Sequence, residues 1–353
     1  TESLKQHPSA FIIFDKDLKI KWMNNSSKYI FTCEDNKELK IVGVFSLSES
    51  KKLKEVKIAS SFESNIEIQL RKITFFLRSR VHEVPLKDGS SFYLLEVITN
   101  SKESLEAMKG TITCIEHDRI DLAYQKQIDL KTEKLVGLEA LLRMRDEQGN
   151  IIPNDKFIPL IEGESLFSLV VMSSLEKLKE AFKLKNNFDM EGVTIYLNVS
   201  AHTAMQDNFT QIFVDFVKEL NLKPGELGLE ITETAELENV KKAGRSFQKL
   251  KDVGIPLAID DFGAGYSSLS YLRDLPVDSV KLDKVFAKTI SEKTTTELIK
   301  FVVSVCNTLS LNMLGEGIET ESQKEKFIKI GCFNGQGYLM HRPEFLEDLK
   351  KSL

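Results

Sequence analysis

The spacing of hydrophobic and polar residues changes near residue 120, and the two parts of the chain predict different structures. Before that point, short apolar runs alternate with turns. SAFIIFDKDLKIKWMN predicts two strands around Asp15-Lys16-Asp17, and ITFFLRSRVHEVPL and SFYLLEVIT predict two more, separated by KDGS. A helical stretch follows over residues 101–118. We therefore expect a small strand-rich domain over residues 1–100 and a helical linker over 101–118.

From residue 119 to 353, strand-like apolar runs alternate with segments whose apolar residues recur at helical spacing, such as SLVVMSSLEKLKEAFKLK and TTELIKFVVSVCNTL. Gly254 and Gly331 stand where two of these helices are expected to end. Eight strands over this length predict an α/β fold of the (β/α)8 barrel type, and an open doubly wound sheet is the alternative. The strands are expected at residues 122–130, 135–143, 193–200, 227–233, 256–261, 279–283, 311–316 and 333–339.

The composition is that of an ordinary globular protein, and it narrows the range of partners. The chain is 42% hydrophobic and 29% charged with a net charge of −5, so it lacks the basic field that holds a nucleic-acid polymer. No apolar run approaches the ~20 residues of a membrane helix, although an anchor upstream of Thr1 stays open. The scattered cysteines have neither metal nor disulfide spacing, which favours a cytoplasmic protein. They are Cys33, Cys114, Cys306 and Cys332.

Polar residues lie in or just after the carboxyl-terminal part of almost every predicted barrel strand. Functional side chains of such barrels gather at the carboxyl ends of the strands, so we take these residues as candidates. Each alone is as readily an exposed side chain, a helix cap or a loop residue, but their recurrence at successive strand ends favours a site. In strand order from the second to the eighth, they are Glu139 and Arg143; Asn198; Glu230 and Glu233; Asp260 and Asp261; Lys281 and Asp283; Glu316 and Glu319; and Gln336.

The crowded carboxylates point to divalent cations. Buried carboxylates that lie close together disfavour each other's ionisation, and a bound cation reverses that cost. Oxygen ligands from Asp, Glu and Asn suit hard ions such as Mg²⁺ or Mn²⁺. Adjacent Asp260 and Asp261 can serve two ions, with Asp260 as the bridge. Two ions about 3.5–4 Å apart can activate a water and stabilise the leaving oxygen of a phosphate diester.

Seven short motifs occur in one order along the chain: LEALLR, LNVS, LEITET, IDDFGAGYSSL, LPVDSVKLD, GEGIET and GQGYL. Together they resemble the motifs of EAL domains, which are cyclic-di-GMP phosphodiesterases that linearise the dinucleotide to pGpG with two Mg²⁺ or Mn²⁺ ions. The resemblance covers roughly residues 115–350 and implies an EAL phosphodiesterase domain over residues 119–353.

The same resemblance implies individual roles. One metal would be held by Glu139, Asn198, Glu230 and Asp260, and the other by Asp260, Asp261 and Glu316. Lys281 would orient the attacking water or balance its charge, and Gln336 would support the water shell of the metals. The residues implied to contact the substrate are Gln125, Arg143, Asp283 and Glu319. Those implied to support the loop over residues 262–269 and a nearby dimer interface are Glu233, Phe262, Gly263 and Gly265.

The amino-terminal part resembles a PAS domain in pattern, through HPSAFIIFDKDLKIKWMNNSSKYIF at its start and ITFFLRSRVHEVPLKDGSSFYLLEVITNSKE at its end. This resemblance implies a sensory and dimerisation module that regulates the barrel, so we expect a homodimer through both domains. A small strand-rich module of another type is the alternative. The ligand of such a domain is unknown or absent; His82 lies on a predicted strand and can ligate haem, although an exposed or core histidine is the simpler interpretation.

Two other functions are alternatives to that of a cyclic-di-GMP phosphodiesterase. A catalytically silent receptor or protein-interaction module would have lost metal ligands or the lysine, and here all of them are present. A generic barrel hydrolase of another diester would share the metals but would not explain Arg143 and Gln125. Two positions depart from the usual family pattern: Lys126 replaces the Pro of YQP, and Ser165 in IEGES replaces a Gly. Both bear on substrate affinity and local geometry more than on the chemistry.

Overall fold

The computed structural model describes residues 9–31, 39–46, 62–70, 73–85, 91–97, 102–161, 165–187, 190–204, 207–232, 240–263 and 269–353. Two units compose the chain. One comprises Thr1–Ile120 with Arg143–Ser173, and the other comprises Asp121–Leu142 with Ser174–Leu353.

The amino-terminal sheet has six antiparallel strands in the order β2-β1-β6-β5-β4-β3. They are β1 (Phe11–Phe14), β2 (Ile20–Met23), β3 (Leu39–Ser46), β4 (Phe62–Leu70), β5 (Ile73–Pro85) and β6 (Ser91–Val97). Helix α1 (Asn25–Ile30) follows β2, and helix α2 (Lys102–Glu116) follows β6. Asn24 caps α1 and ties it to β1, because its Oδ1 accepts the N–H groups of Ser27 and Phe11 at 2.9 Å each.

The core of this unit is apolar. Ile12 and Phe14 of β1 and Leu95 of β6 are fully buried, and Met108 and Ile112 of α2 join the same cluster. The two α2 residues are four apart, so they share one face of that helix. This packing stabilises the sheet, and none of the described side chains of β1 to β6, α1 and α2 that are buried is charged.

Eight strands close into a barrel in the order β7-β15-β14-β13-β12-β11-β10-β8, with a pairing between β7 and β8 that completes the ring. They are β7 (Ile120–Asp129), β8 (Leu135–Arg145), β10 (Thr194–Ser200), β11 (Leu227–Thr232), β12 (Leu257–Phe262), β13 (Ser279–Leu282), β14 (Asn312–Gly315) and β15 (Asn334–Gly335). Short strands β9 (Ile151–Ile152) and β16 (Glu344–Phe345) pair with β8 and β7.

The seven barrel strands other than β7 run parallel to one another around the ring, whereas β7 is antiparallel to β15. The connection over residues 130–134 explains this departure from an all-parallel barrel, because it is too short for the crossover that joins parallel strands.

The helices of the barrel region alternate with its strands after β9. They are α3 (Asn154–Ile161), α4 (Ser165–Asn187), α5 (Ala201–Ala204), α6 (Asp207–Glu219), α7 (Val240–Asp252), α8 (Leu269–Asp274), α9 (Lys284–Thr289), α10 (Lys293–Leu309), α11 (Glu321–Ile330) and α12 (Leu346–Ser352). Gly254 and Gly331 follow α7 and α11 with φ of 82° and 103°, as predicted for helix ends.

The predicted barrel with a small α+β domain before it is confirmed, and the closed order excludes the open doubly wound sheet. Seven predicted strands lie within two residues of the observed bounds at each end. The eighth is shorter than predicted, because the chain turns after β15, where Met340 N–H donates to the Gly337 carbonyl. The domain bounds at residues 100 and 118 stay predictions. No helix among the described residues is long and apolar enough to cross a bilayer.

Candidate metal-binding active site

The barrel strands bring five acidic side chains together, which we call the carboxylate cluster. Glu230 lies opposite Asn198 of β10 in the strand register. The side chain of Glu230 is fully buried. The other acidic members lie on, or just after, strands of the same parallel set. The members are Glu139 of β8, Glu230 of β11, Asp260 and Asp261 of β12, and Glu316, which follows β14.

Lys281 of β13 lies at the centre of this cluster and is 2% exposed. Burial would lower the pKa of Lys281, but the surrounding carboxylates outweigh it and raise that pKa well above its usual value. Its ammonium therefore stays charged. Lys281 Nζ lies 2.6 Å from Glu230 Oε2, 2.7 Å from Glu316 Oε1, 3.0 Å from Asp260 Oδ1 and 3.5 Å from Glu139 Oε2.

One ammonium does not compensate the whole cluster. Burial and the Glu139 carboxylate raise the pKa of Glu230 well above its usual value. Burial and the charge of Asp260 raise the pKa of Asp261 to about 6. Burial, partly opposed by Lys281, raises the pKa of Glu316 to about 8. These acids hold protons more tightly than usual, which is the electrostatic signature of a site short of positive charge.

Glu139 differs from its neighbours because amide groups and Lys281 stabilise its charged form. Burial acts to raise its pKa, but the charge of Lys281 and the hydrogen bonds from Gln336 and Asn198 outweigh it and lower that pKa. Asn198 Nδ2 donates to Glu139 Oε1 at 2.7 Å, and Gln336 Nε2 donates to Glu139 Oε2. Gln336 Nε2 also donates to Gln125 Oε1 at 2.9 Å. Glu139 is thus held in its ionised form, which suits a metal ligand.

Several buried acceptor atoms at the cluster have no hydrogen-bond partner among the described residues. These atoms are Asn198 Oδ1, Asp260 Oδ1 and Gln336 Oε1. Asp260 Oδ1 is close to Lys281 Nζ, but that ionic contact does not have hydrogen-bond geometry. An acceptor buried without a donor costs about 1–3 kcal/mol, so these oxygens favour a bound cation.

The carboxylate oxygens form two groups that can each hold a cation. In each group, one oxygen from every member lies within 4.8 Å of the others, and Asp260 belongs to both. All candidate ligands are oxygen atoms, which fits Mg²⁺ or Mn²⁺ and not a soft metal. The groups are Glu139, Glu230 and Asp260, and Asp260, Asp261 and Glu316.

The backbone of β12 explains how two adjacent aspartates serve one site. In a regular strand, successive side chains point to opposite faces of the sheet. Here the pairing with β13 is irregular between Ile259 and Phe262, and Asp261 has a left-handed φ of 53°. Aspartate tolerates that conformation better than most residues, and such strained positions concentrate at functional sites. The irregularity therefore allows Asp260 and Asp261 to join one group.

The predicted substrate residues have different surroundings. Asp283 is buried and caps α9, because its Oδ1 accepts the Val285 N–H at 2.8 Å. Its charge contributes to the raised pKa of Asp261. Glu319 is exposed and precedes α11, and Arg143 is half-buried on β8, four residues after Glu139.

Part of the predicted loop over residues 262–269, including Gly265, lies outside the described residues, as does Glu233, which was predicted to support it. Phe262 is 5% exposed at the end of β12. Gly263 follows with a φ of 93°, and a Cβ at this position would overlap the ring of Phe286. Glycine is therefore required at residue 263 on both counts.

Sequence reasoning missed two residues that touch the site. Gln127 Nε2 donates to Glu230 Oε1 at 2.9 Å, and the carbonyl of His341 accepts the Gln125 Nε2 at 3.0 Å. Gln127 follows Gln125 by two residues on β7, so strand alternation placed both on one face and was the available signal. No local signal pointed to the carbonyl of His341.

Comparisons with known proteins identify the family to which the barrel region is similar. The family model described as "EAL domain" matches residues 106–343. The cyclic di-GMP phosphodiesterase PdeA of Borreliella burgdorferi is 31% identical over 365 residues, which cover 93% of this chain and 53% of that protein. The cyclic di-GMP phosphodiesterase PA2567 of Pseudomonas aeruginosa is 32% identical over 232 residues, covering 65% of this chain and 39% of that protein. The chain thus spans about half, or less, of the length of these relatives.

Among solved structures, a PaMucR phosphodiesterase in complex with c-di-GMP superposes with a TM-score of 0.63 and 29% identity. The match covers 69% of this chain and 99% of that one.

Proposed function

Because the chain belongs to the EAL domain family, we propose that it hydrolyses cyclic-di-GMP to linear pGpG with the help of divalent cations. The observation that carries this proposal is the carboxylate cluster, which is buried around Lys281 and retains acceptor atoms without donors. The names of the relatives and the ligand of the solved neighbour support the choice of substrate.

Two cations, Mg²⁺ or Mn²⁺, are proposed to bind at the cluster. When bound, such ions activate a water molecule and stabilise charge on the leaving oxygen of a phosphate diester. Asp260 is shared between the two sets of ligands. The first set is Glu139, Asn198, Glu230 and Asp260, and the second is Asp260, Asp261 and Glu316.

Lys281 acts in this proposal as a fixed positive charge. Because its pKa is raised, its Nζ holds its proton at neutral pH and donates hydrogen bonds instead of accepting a proton. It is therefore suited to stabilise an anionic oxygen at the site and not to serve as a general base. Asn198 and Gln336 fix the two oxygens of Glu139 and keep that ligand ionised.

Substrate contacts are proposed for four residues around the cluster. Arg143 offers a planar fork of donors that suits a phosphate, and Gln125 offers an amide. Asp283 and Glu319 are carboxylate acceptors, which suit the N–H groups on the edge of a guanine base.

We also propose that the amino-terminal domain is a PAS-like regulator and that the chain acts as a homodimer. In this proposal, Glu233 supports the loop over residues 262–269. That loop, with Phe262, Gly263 and Gly265, supports the metal site and the dimer interface. The strand order of the amino-terminal sheet is compatible with such a module.

The test is an assay of the purified chain with cyclic-di-GMP, in which the product is identified by mass spectrometry. We expect pGpG with Mg²⁺ or Mn²⁺ and no product after exhaustive chelation. Ca²⁺ is expected to support binding without turnover, because its looser coordination positions the reacting groups poorly. Full turnover in chelator would contradict the metal-dependent mechanism, and binding without turnover under every condition would identify a receptor.

A further inference from the structure

Gln127 makes a hydrogen bond across the interior of the barrel. Its side chain is 3% exposed, and its Nε2 donates to Glu230 Oε1 at 2.9 Å. Gln127 is on β7 and Glu230 is on β11, and β8 and β10 lie between these strands in the ring. The bond therefore joins two strands that do not pair with each other.

A glycine on β8 leaves the space for this crossing. A Cβ at Gly137 would overlap the Gln127 Oε1 atom. Gly137 precedes Glu139 by two residues, so it faces the same side of β8 one layer below that carboxylate. The arrangement repeats on β11, where Gly228 precedes Glu230 by two residues and a Cβ there would overlap the ring of Tyr196. The tripeptide Gly-Leu-Glu recurs at both places.

The bond from Gln127 completes the support of Glu230. Lys281 Nζ holds the Oε2 atom at 2.6 Å, and Gln127 holds the Oε1 atom, so the carboxylate plane is fixed from both sides. A carboxylate oxygen can accept about two hydrogen bonds, so Oε1 keeps a lone pair for a cation.

The packing does not force Gln127 into this orientation. Gln127, Glu230, Lys281 and Tyr196 line one cavity of about 400 Å³. The amide thus has room for other orientations, and its hydrogen bond to Glu230 selects the observed one.

We propose that Gln127 is a positioning residue that orients Glu230 for cation binding, and that Gly137 leaves the space that this orientation of Gln127 needs. This inference rests on the proposed metal-dependent function, since it concerns the ligand set of that site. Residues that orient a metal ligand typically contribute 10–100-fold to metal affinity.

The first test is a calorimetric titration of Mn²⁺ into the metal-free full chain and the variant Gln127→Met. Methionine keeps the volume of the side chain but cannot donate to Glu230. We expect Mn²⁺ to bind about 10–100-fold more weakly, with turnover restored at saturating Mn²⁺ and an unchanged KM for cyclic-di-GMP.

The control is Gln211→Met on α6, which removes a 2.8 Å bond from an exposed glutamine to the Asp215 carboxylate. It should bind Mn²⁺ as the unaltered chain does. Equal affinities in all three proteins would overturn the proposal. Because Mn²⁺ alone is the probe, weaker binding by Gln127→Met supports the inference even if the chain does not hydrolyse cyclic-di-GMP.

The second test is a double-mutant cycle with Gly137→Ala and Gln127→Ala. The added Cβ should displace Gln127 and weaken Mn²⁺ binding as much as removing the amide does. In the Gln127→Ala background the same change should cost little further affinity, since the colliding amide is absent and the remaining close contact, to the Thr194 carbonyl oxygen, is at 3.3 Å. An equal loss from Gly137→Ala in both backgrounds would contradict the proposed passage.

Discussion

The cores of the amino-terminal sheet and of the barrel differ in the kind of side chain that they bury. In the sheet, Ile12, Phe14 and Leu95 are fully buried and apolar. In the barrel, Glu230 and Lys281 are buried almost as completely but carry ionisable groups. Apolar burial stabilises a fold directly, whereas a buried ion pair often contributes no more than an apolar pair of the same volume. The difference indicates that the sheet core serves stability and the barrel centre serves chemistry.

The largest expected effect is a loss of turnover in a variant that keeps its fold. Glu139→Ala removes a ligand that Asn198 and Gln336 hold in place, so we expect turnover of cyclic-di-GMP to fall by at least about 10²–10³-fold. Circular dichroism should show an unchanged spectrum. Turnover close to that of the unaltered chain would remove the carboxylate cluster from the mechanism.

The converse change lowers the stability of the amino-terminal sheet and does not affect metal binding in the barrel. Phe14→Ala removes a fully buried ring that stacks on Tyr93 with centroids 5.4 Å apart. We expect a loss of about 3–5 kcal/mol in the free energy of unfolding of that unit, measured by denaturant titration. Mn²⁺ binding should be unchanged under native conditions. The matched control, Phe301→Ala at a ring that is 54% exposed, should cost less than about 0.5 kcal/mol.

A smaller effect tests whether the buried Glu230 carboxyl group lowers the stability of the metal-free chain. Glu230→Gln removes a desolvated charge while Lys281 keeps three other carboxylates. In chelator at pH 8, we expect the variant to be more stable by about 1–2 kcal/mol, and Mn²⁺ should raise its melting temperature less than in the unaltered chain. A clear loss of stability in chelator would mean that the cluster itself holds the fold together.

The smallest effect concerns pH. The pKa values of Asp261 and Glu316 are raised to about 6 and about 8. Below these values the acids hold protons that a cation must displace, and above them the competition disappears. The apparent affinity for Mn²⁺ should therefore fall, by about tenfold or more, when the pH is lowered from 8 to 6. Calorimetry at the two pH values measures this, and an affinity independent of pH would contradict the raised pKa values.

The sequence predicted the parts of the molecule that depend on local pattern. Apolar periodicity located the barrel strands, and the polar residues within or just after them supplied all five members of the carboxylate cluster. The carboxyl ends of parallel strands share one rim of a barrel, so a one-dimensional pattern was enough there.

Other features depended on contacts that a linear pattern does not contain. Strands β3 and β4 were missed, because Gly43 interrupts the apolar run of β3 and polar residues such as Glu63 and Asn65 interrupt that of β4. The left-handed backbone of Asp261 arises from irregular pairing with β13. The bond from Gln127 to Glu230 joins residues 103 positions apart, and it depends on a glycine of a third strand.

We propose that the carboxylate cluster at the centre of the barrel binds divalent cations. The most direct measurement is a titration of the metal-free chain with Mn²⁺, in which paramagnetic resonance counts the free ion. We predict two Mn²⁺ bound per chain, and loss of both sites in Asp260→Asn, because Asp260 is shared by the two groups. A free Mn²⁺ signal that rises in proportion to the added metal from the first addition would contradict the claim.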